Sequence, residues 1–313
     1  MMNKRVSFLD TARALCMLWI VGIWHMQAYL SDGFAIQNEI TENITIGVLT
    51  TFTFISGFFL GGGINSFSDA IKFYKKRIKR FYLLFALSCF SLYIIGILGF
   101  GDFIETFKQL ICTLTGLACF IKPMPLTVWY FSMMIFFYLV TPIITIQKNL
   151  KVKMAVSTLI YAFLVLTNII FQTDSRVVLY FPIYSVALMC SGTVNLNERF
   201  NIKIFGTALA GSIVAVGFDT VVITNYITQL VPAVCISIVI IEISKLVTVN
   251  ATERLFSWIG CASMCAYLFH RQFFGVVKFI FGDIPLLVAY CVFLPLFLVG
   301  CYWCQKIYDF IIR

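Results

Sequence analysis

Long apolar runs alternate with short polar segments from one end of the chain to the other. A run of about twenty apolar residues, rising about 1.5 Å per residue, is long enough to cross the hydrocarbon core of a bilayer as a helix. The pattern predicts ten transmembrane helices, near residues 12–30, 44–63, 81–99, 127–146, 154–171, 177–194, 204–218, 227–246, 256–278 and 285–306. A further apolar stretch, residues 104–121, is predicted to be an interfacial or re-entrant helix on the outer side.

The composition agrees with this interpretation. The chain of 313 residues is 61% hydrophobic and 12% charged, with a mean hydropathy of +0.95. Soluble domains carry roughly 25% charged residues, so this chain lacks the polar side chains needed to cover a water-exposed surface. We therefore predict an all-α integral membrane protein with a single transmembrane domain over residues 1–313.

The distribution of Lys and Arg predicts the orientation in the membrane. All but five of the 23 basic residues fall in segments that the ten-helix topology places on the cytoplasmic side, as the positive-inside rule requires. The exceptions are Lys108, Lys122, Arg176, Arg271 and Lys278. Both termini are then cytoplasmic, and the net charge of +9 reflects topology rather than a nucleic-acid partner. The short loops favour a bacterial inner membrane as the location.

One basic cluster stands out from the other cytoplasmic segments. The stretch KFYKKRIKRFY, residues 72–82, contains six basic residues within nine positions. These cations suit lipid phosphates at the membrane surface, or a cytoplasmic polyanion such as a nucleotide cofactor. A guanidinium group binds phosphate in a bidentate manner, so Arg77 and Arg80 are the candidate ligands for a polyanion. The lysines suit lipid contact, although Lys76 is also a candidate ligand.

Polar side chains inside apolar runs are costly and are therefore candidates for function. His25, one of only two histidines, lies deep in the run FLDTARALCMLWIVGIWHM, residues 8–26. An imidazole can take a proton from a hydroxyl group as a general base, or it can simply be hydrogen-bonded by a neighbouring helix. His270 lies beside Arg271 towards the outer end of the ninth predicted span, where such a pair also suits an interfacial anchor.

Other polar residues and the cysteines have structural interpretations. Glu242 precedes Lys245 by three positions, which suits an ion pair on one face of a helix. The 11 cysteines lie almost entirely in apolar segments, where Cys behaves as a small hydrophobic residue. With only two histidines they do not supply the ligands of a zinc site, so no metal site is predicted.

Five stretches, taken in their order along the chain, carry a resemblance to a known family. They contain an Asp three residues before an Arg with a His further on, a Ser-Gly helix, an Arg-x-x-Arg motif, a helix with a Trp-aromatic start and a Pro end, and a Tyr-Leu-x-His motif. In this sequence they are FLDTARALCMLWIVGIWH, TFTFISGFFLGG, YKKRIKRFYLLF, LTVWYFSMMIFFYLVTPII and SMCAYLFHRQFF. The chain thereby resembles the membrane-bound acyltransferase-3 family of polytopic acyltransferases.

The resemblance implies a donor, an acceptor and a set of roles. The donor is an acyl-CoA, usually acetyl-CoA, used from the cytoplasmic side, and the acceptor is usually a hydroxyl group of a sugar or lipid-linked glycan at the outer face. By motif, Arg13 and His25 are the catalytic pair, and Asp10, one turn before Arg13, orients it. Arg77 and Arg80 bind the donor. Expected partners are membrane lipid, the acyl-CoA, the glycan acceptor and, as an open alternative, proteins of polysaccharide synthesis.

The spacing of the first motif departs from the family pattern. The family has ten residues between the Arg and the His, whereas eleven, ALCMLWIVGIW, separate Arg13 from His25. Each residue of an ideal α-helix adds about 100°, so the extra residue would point the two side chains in different directions. A π-type turn, for which Gly22 is a natural place, would restore the shared face. Otherwise Arg13 serves the donor while His25 acts alone.

The predicted reaction is acyl transfer to a hydroxyl group. His25 takes the hydroxyl proton, the alkoxide attacks the thioester carbonyl of the donor, and thiolate leaves. An acyl-histidine intermediate on His25 is an open variant. Candidate substrate-binding residues are Trp24, Trp129 and Tyr130 as a wall for the sugar, Ser56 as a donor to the oxyanion, and His270. Ordinary aromatic belts and helix packing are the alternative for the first four.

Two other functions remain open. One is a non-catalytic exporter of a polysaccharide or lipid-linked sugar with the same architecture, which would favour broken helices and charged residues at the membrane midplane. The other is a structural partner subunit, which would not need an intramembrane His together with an Arg-rich loop. Loss of activity on substituting His25 separates the acyltransferase from the exporter.

Overall fold

The protein is described by a computed structural model that covers residues 6–30, 37–98, 104–121, 127–191, 199–219, 228–248 and 250–312. Several predicted features lie outside these residues. They are Lys122, the terminal residues 1–5 and 313, and the ends of three predicted spans at residues 99, 192–194 and 227.

Eleven main helices occur in the described residues. They are α1 (Ser7–Tyr29), α2 (Glu39–Leu60), α3 (Phe67–Ile97), α4 (Phe107–Thr115), α5 (Trp129–Thr145), α6 (Leu150–Phe171), α7 (Ser175–Cys190), α8 (Ile202–Asp219), α9 (Leu230–Val247), α10 (Asn250–Phe281) and α11 (Leu286–Ile311). No strand is found in these parts of the chain, which contain only an isolated β-bridge between Leu30 and Ile284. The prediction of an all-helical protein is confirmed.

A helix lies at each of the ten predicted spans, and α4 lies within the stretch 104–121. Six helices are long and apolar enough to cross a membrane, namely α1, α2, α3, α6, α9 and α11. In the most apolar part of α6 only 17% of the residues are buried inside the protein. Leu159 and Phe171 of this helix are each 71% exposed. Such apolar surface suits contact with lipid tails. The number of crossings, the location of the termini and the re-entrant helix stay predictions.

Local sequence explains where several helices begin and end. Ser66, Thr106 and Asn149 precede α3, α4 and α6, and the side chain of each accepts a hydrogen bond from a backbone N–H of the first turn. Such caps satisfy donors that have no partner within the helix. Helix α4 ends at Gly116, whose φ of 77° lies in the left-handed region that favours glycine.

The described residues form two compact units, and the prediction of a single domain stays a prediction. One unit comprises the described parts of 1–52 and 196–311. Within it, α1 packs against α9 and α10, α8 packs against α9, and α10 packs against α11. The approach of α10 to α1 is close at Gly260, where a Cβ atom would lie 2.9 Å from the carbonyl oxygen of Asp10. The indole of Trp19 donates a hydrogen bond to Thr45 (2.9 Å).

The second unit comprises the described parts of 53–195. Gly57 on α2 and Gly61, which directly follows α2, lie four residues apart and face α7, with a Cβ atom at Gly57 only 2.7 Å from the carbonyl oxygen of Tyr184. Small residues at this spacing let two membrane helices approach closely. Further contacts join α5 to α7, where the hydroxyl groups of Thr141 and Tyr184 are 2.6 Å apart.

Candidate functional site

Helix α1 changes its winding before it reaches His25. It is α-helical over Ser7–Met17, π-helical over Leu18–His25 and 3₁₀-helical over Met26–Tyr29. The π segment contains Gly22, which the sequence offered as a natural place for a π-type turn. A π turn holds an additional residue and disturbs the regular pairing of backbone carbonyls. The hydroxyl of Tyr290 donates a hydrogen bond to the carbonyl oxygen of Gly22 (2.5 Å), which gives this carbonyl a partner from α11.

His25 is half-buried at the end of the π segment and contacts a guanidinium group from α10. Nη2 of Arg271 lies 3.0 Å from Nδ1 of His25. A guanidinium group can only donate hydrogen bonds, so Nδ1 of His25 is the acceptor and carries no proton. In the neutral imidazole the proton is then on Nε2. The contact with Arg271 thus defines which nitrogen of His25 is protonated.

The second histidine lies directly against the first. The ring centroids of His25 and His270 are 4.8 Å apart and the ring planes are tilted by 33°. His270 is fully buried, and its Nδ1 lies 2.8 Å from the carbonyl oxygen of Tyr267 and 3.2 Å from that of Ala266. Because carbonyl oxygens accept, Nδ1 of His270 carries the proton. Its Nε2 therefore has a free lone pair, and no described residue forms a hydrogen bond with it.

Arg271 completes a polar cluster of three side chains, His25, His270 and Arg271. Its Nε is buried and has no hydrogen-bond partner among the described residues, so one donor of the guanidinium group is unused. The hydroxyl of Tyr29 lies 3.5 Å from the backbone carbonyl oxygen of Arg271, and Tyr29 stacks on Phe274 with centroids 5.6 Å apart. A charged group in an apolar helix with an unsatisfied donor is costly and suits a site that binds a polar ligand.

Arg13 and Asp10 form an ion pair nearer the start of α1. The Arg13 Nη1 to Asp10 Oδ1 distance is 3.4 Å, so Asp10 contacts Arg13, and the orienting role of Asp10 stays a prediction. Twelve residues of helix rise about 18 Å, so the side chain of Arg13 cannot reach that of His25. The arginine in contact with His25 is Arg271, for which the sequence suggested only an interfacial anchor. A charged residue next to His270 in an apolar run was the available signal.

A cavity of about 540 Å³ opens at this end of α1. Asp10 lines it together with side chains of α10 and α11, including the aromatic pair Trp258 and Tyr302, whose centroids are 5.1 Å apart. Acidic and basic groups are both present, since Arg254 and Lys306 also contribute to the lining. The cavity thus has charged groups of both signs beside an aromatic wall.

The basic cluster lies in the second unit, where α3 also changes its winding. Arg77 ends an α-helical segment, and Arg80 lies in the π-helical segment Ile78–Tyr82 that follows. Arg77 is half-buried, with its Cζ 5.9 Å from the ring centroid of Tyr138, whereas Lys76 and Arg80 are exposed. The Nε of Arg77 has no hydrogen-bond partner among the described residues. The cluster thus combines one partly desolvated guanidinium group with two exposed cations.

The candidate substrate-binding residues are divided between the units. In the second unit Trp129 is buried under the guanidinium of Arg176, which is 4.0 Å from the ring centroid, and the hydroxyl of Tyr130 is 3.3 Å from that of Thr53. Ser56 is half-buried on α2 and forms no hydrogen bond with a described residue. In the first unit Trp24 is half-buried one position before His25. The proposed substrate-binding roles of these residues stay predictions.

The comparison with known proteins gives one match. A family model described as an acyltransferase domain, of the acyltransferase-3 type, matches residues 6–306. No curated protein and no solved structure matches the chain significantly. The match spans nearly the whole chain, from the start of α1 into α11, and therefore includes the cluster of His25, His270 and Arg271.

Proposed function

We propose that this chain, which belongs to the acyltransferase-3 family, transfers an acyl group, most simply acetyl, from a cytoplasmic acyl-CoA to a hydroxyl group of a cell-surface or lipid-linked glycan. Membership of the family supports a membrane acyltransferase. The observation that carries the reaction type is the half-buried His25 in an apolar helix, hydrogen-bonded to Arg271 (3.0 Å). This is a side chain able to exchange a proton in a place where exposed polar groups are otherwise rare.

The donor would be recognised through its phosphates. Acyl-CoA carries a pyrophosphate and a further phosphate, and guanidinium groups bind such groups with two parallel hydrogen bonds. Arg77, Arg80 and Lys76 are the proposed ligands. The buried and unpaired Nε of Arg77 supports this role, because a phosphate oxygen would satisfy it. Electrostatic attraction to anionic lipid remains compatible with the exposed lysines of the same cluster.

The chemistry requires one proton acceptor and one electrophile. His25 takes the proton of the acceptor hydroxyl, the oxygen attacks the thioester carbonyl carbon, and the C–S bond breaks to release the thiolate of coenzyme A. Thiolate is a good leaving group, so a separate acid is not essential. Ser56 is the proposed donor to the oxyanion, and Trp24, Trp129 and Tyr130 are proposed to contact the sugar. Asp10 and Arg13 act away from the proton transfer, since α1 separates Arg13 from His25.

The test measures thiol release from acetyl-CoA by the purified protein in detergent, with and without glycan acceptors. His25→Ala should lower acceptor-dependent turnover by about 10²-fold or more, because general base catalysis contributes that much. The double variant Arg77→Ala/Arg80→Ala should raise the apparent KM for acetyl-CoA by about tenfold or more, since it removes charge-assisted hydrogen bonds. Turnover unchanged in His25→Ala would refute the proposed role of His25.

A matched control separates specific binding from loss of positive charge. Lys148→Ala/Lys151→Ala also removes two cations, from exposed positions at the start of α6, and should leave the KM unchanged. A folded wild-type protein that neither binds nor turns over acetyl-CoA, but moves a glycan across vesicle membranes, would favour the exporter instead.

A further inference from the structure

The two imidazoles of the site are held in opposite tautomers. Arg271 donates to Nδ1 of His25, which places the His25 proton on Nε2. The backbone carbonyl of Tyr267 accepts from Nδ1 of His270, which leaves Nε2 of His270 unprotonated. One ring thus offers a proton on Nε2 and the other a lone pair on Nε2. Their centroids are 4.8 Å apart, a contact distance for two rings.

The lone pair on Nε2 of His270 is not used in a hydrogen bond with any described residue. His270 is 0% exposed, so its Nε2 does not face water, and no described donor reaches it. A buried polar atom without a partner is rare in a native structure and needs an explanation. Of the two described rings in contact with that of His270, the ring of His25 is the nearer, with centroids 4.8 Å apart against 5.9 Å for Tyr267. The half-buried position of His25 also makes it the member of the pair that a substrate can reach.

We propose that His25 and His270 form a proton relay, with His25 in contact with the acceptor and His270 as the internal proton store. This rests on the acyl transfer proposed above. Rotation of the His25 ring about its Cβ–Cγ bond breaks the hydrogen bond to Arg271, presents Nδ1 to the acceptor hydroxyl and directs Nε2–H towards Nε2 of His270. Arg271 then releases His25 in exchange for the incoming polar group.

The relay balances in protons and electron pairs. The hydroxyl O–H bond breaks and its proton binds Nδ1 of His25, while the proton on Nε2 of His25 moves to Nε2 of His270. The alkoxide oxygen forms a bond to the thioester carbon, and the C–S bond breaks with its electron pair on sulfur. The proton held by His270 returns through His25 to the thiolate, so both rings finish neutral. In this relay the fully buried His270 does not touch the substrate and acts through His25 alone, in place of the substrate-binding role that the sequence suggested.

The relay makes Arg271 a positioning residue for His25. In the resting enzyme its guanidinium group fixes the tautomer of His25 and holds the ring against His270. Its own Nε is buried without a partner among the described residues, so a donor remains for an oxygen of the substrate when Nδ1 is released. Arg271 thus contacts Nδ1 of His25 in the resting state and an oxygen of the substrate after the His25 ring has rotated.

Nitrogen NMR tests the tautomers without any need for activity. The chain has only two histidines, so ring-¹⁵N labelling of His in the full protein gives four signals. We expect Nδ1 of His25 and Nε2 of His270 in the unprotonated range, and the other two nitrogens in the protonated range. His25→Asn and His270→Asn assign the signals by removing two each.

Two variants of α10 sharpen the NMR test. Arg271→Met should release the tautomer preference of His25 and leave the His270 signals unchanged, while Arg254→Met, an exposed Arg on the same helix, should alter neither ring. Equal tautomers in the two histidines, a doubly protonated His25, or an unchanged His25 in Arg271→Met would overturn the inference.

Kinetics then tests the relay itself. In His270→Asn the side-chain amide can still donate a hydrogen bond to the carbonyl of Tyr267, so the fold should persist. The amide offers no nitrogen at the position of Nε2, so the relay is broken. We expect kcat to fall about 10²-fold with an unchanged KM for acetyl-CoA. In mixtures of H₂O and D₂O, the single-turnover rate of the wild type should depend on the deuterium fraction along a curve, since two protons move. The rate of His270→Asn should depend on the deuterium fraction linearly.

Failure of the proposed function and failure of the relay give different results. A wild-type protein without acyl transfer refutes the proposed function, whereas the NMR result stands by itself. Normal kcat in His270→Asn, with an active wild type, refutes the relay only. A lowered thermal stability in that variant with unchanged kcat per folded molecule would show that His270 is merely structural, and would also refute the relay.

Discussion

The hydroxyl group of Tyr290 donates a hydrogen bond of 2.5 Å to the carbonyl oxygen of Gly22, 268 positions away in the sequence. Gly22 lies in the π segment Leu18–His25, and Tyr290 lies in a second π segment, Ala289–Phe293, of α11. A π turn leaves carbonyl groups in poor register with their usual donors, and a side chain from another helix can supply the missing partner. The winding that places His25 is therefore stabilised from α11.

We expect Tyr290→Phe to destabilise the protein and to reduce turnover. The change leaves the carbonyl of the buried Gly22 without its donor, which costs about 1–3 kcal/mol. The rate of turnover should fall more than the affinity for acetyl-CoA. The π segment positions His25, whereas the basic cluster that is proposed to bind the donor lies on α3. Thermal unfolding in detergent and acetyl-CoA kinetics measure the two effects. Tyr93→Phe is the matched control, since the Tyr93 hydroxyl bonds to no described residue, and equal stability of the two variants would contradict the proposed role of Tyr290.

The extra residue in the first motif makes a second prediction. Deleting Ile23, inside the π segment, should allow α1 to become α-helical while the residues on either side keep their faces, so His25 stays near Arg271. Inserting one Ala after Ile23 instead rotates His25 by about 100° and should abolish turnover. Both variants change the length by one residue. Activity measured as thiol release should therefore survive better in the deletion than in the insertion, and the reverse order would show that the π segment does not set the position of His25.

Sequence reasoning found the elements and some local pairs of this protein because those features depend on neighbours in the chain. Apolar runs located the helices, and three-residue spacing predicted the ion pair Glu242–Lys245, which is present. The family motif placed Asp10 one turn before Arg13, and these two residues also form an ion pair. The spacing of Arg13 and His25, compared with the family pattern, left a π-type turn as one of two alternatives, and the helix contains a π segment. Each of these inferences concerns the geometry of a single helix.

The contacts around His25 were not accessible in the same way. Arg271 and His25 are 246 positions apart, and nothing in the periodicity of α1 or α10 states that these two faces meet. The opposite tautomers of the two histidines depend on one long-range contact and on one local carbonyl. Likewise, nothing in the aromatic motif that begins at Trp129 indicated that the guanidinium group of Arg176 lies over the Trp129 ring. Tertiary packing decided each of these features.

The buried ion pair of α9 makes a third prediction. Glu242 and Lys245 are 4% and 8% exposed, their charged atoms are 2.5 Å apart, and Glu242 also accepts a hydrogen bond from the backbone N–H of Asn201 (2.9 Å). Glu242→Gln leaves the Lys245 ammonium buried without its counter-ion, which we expect to cost about 3–5 kcal/mol of stability. The double variant Glu242→Gln/Lys245→Met should recover part of that loss, since no charge is then buried alone. Thermal unfolding of the single and double variants measures the difference, and a double variant less stable than Glu242→Gln would exclude this explanation.

The Ser-Gly motif of α2 makes the last prediction, on packing within the second unit. A Cβ atom at Gly61 would collide with the carbonyl oxygen of Leu188, so Gly61→Ala must push α2 and α7 apart. Overpacking of this kind costs about 1–3 kcal/mol or more, and the variant should unfold at a lower temperature than the wild type. Gly206→Ala is the control, because Gly206 lies inside α8 with no atom within 4 Å of the added methyl group. There the substitution should stabilise the helix by roughly 0.5–1 kcal/mol. Opposite shifts in the unfolding temperature are therefore expected from the same chemical change, and equal shifts would mean that Gly61 does not limit the approach of the two helices.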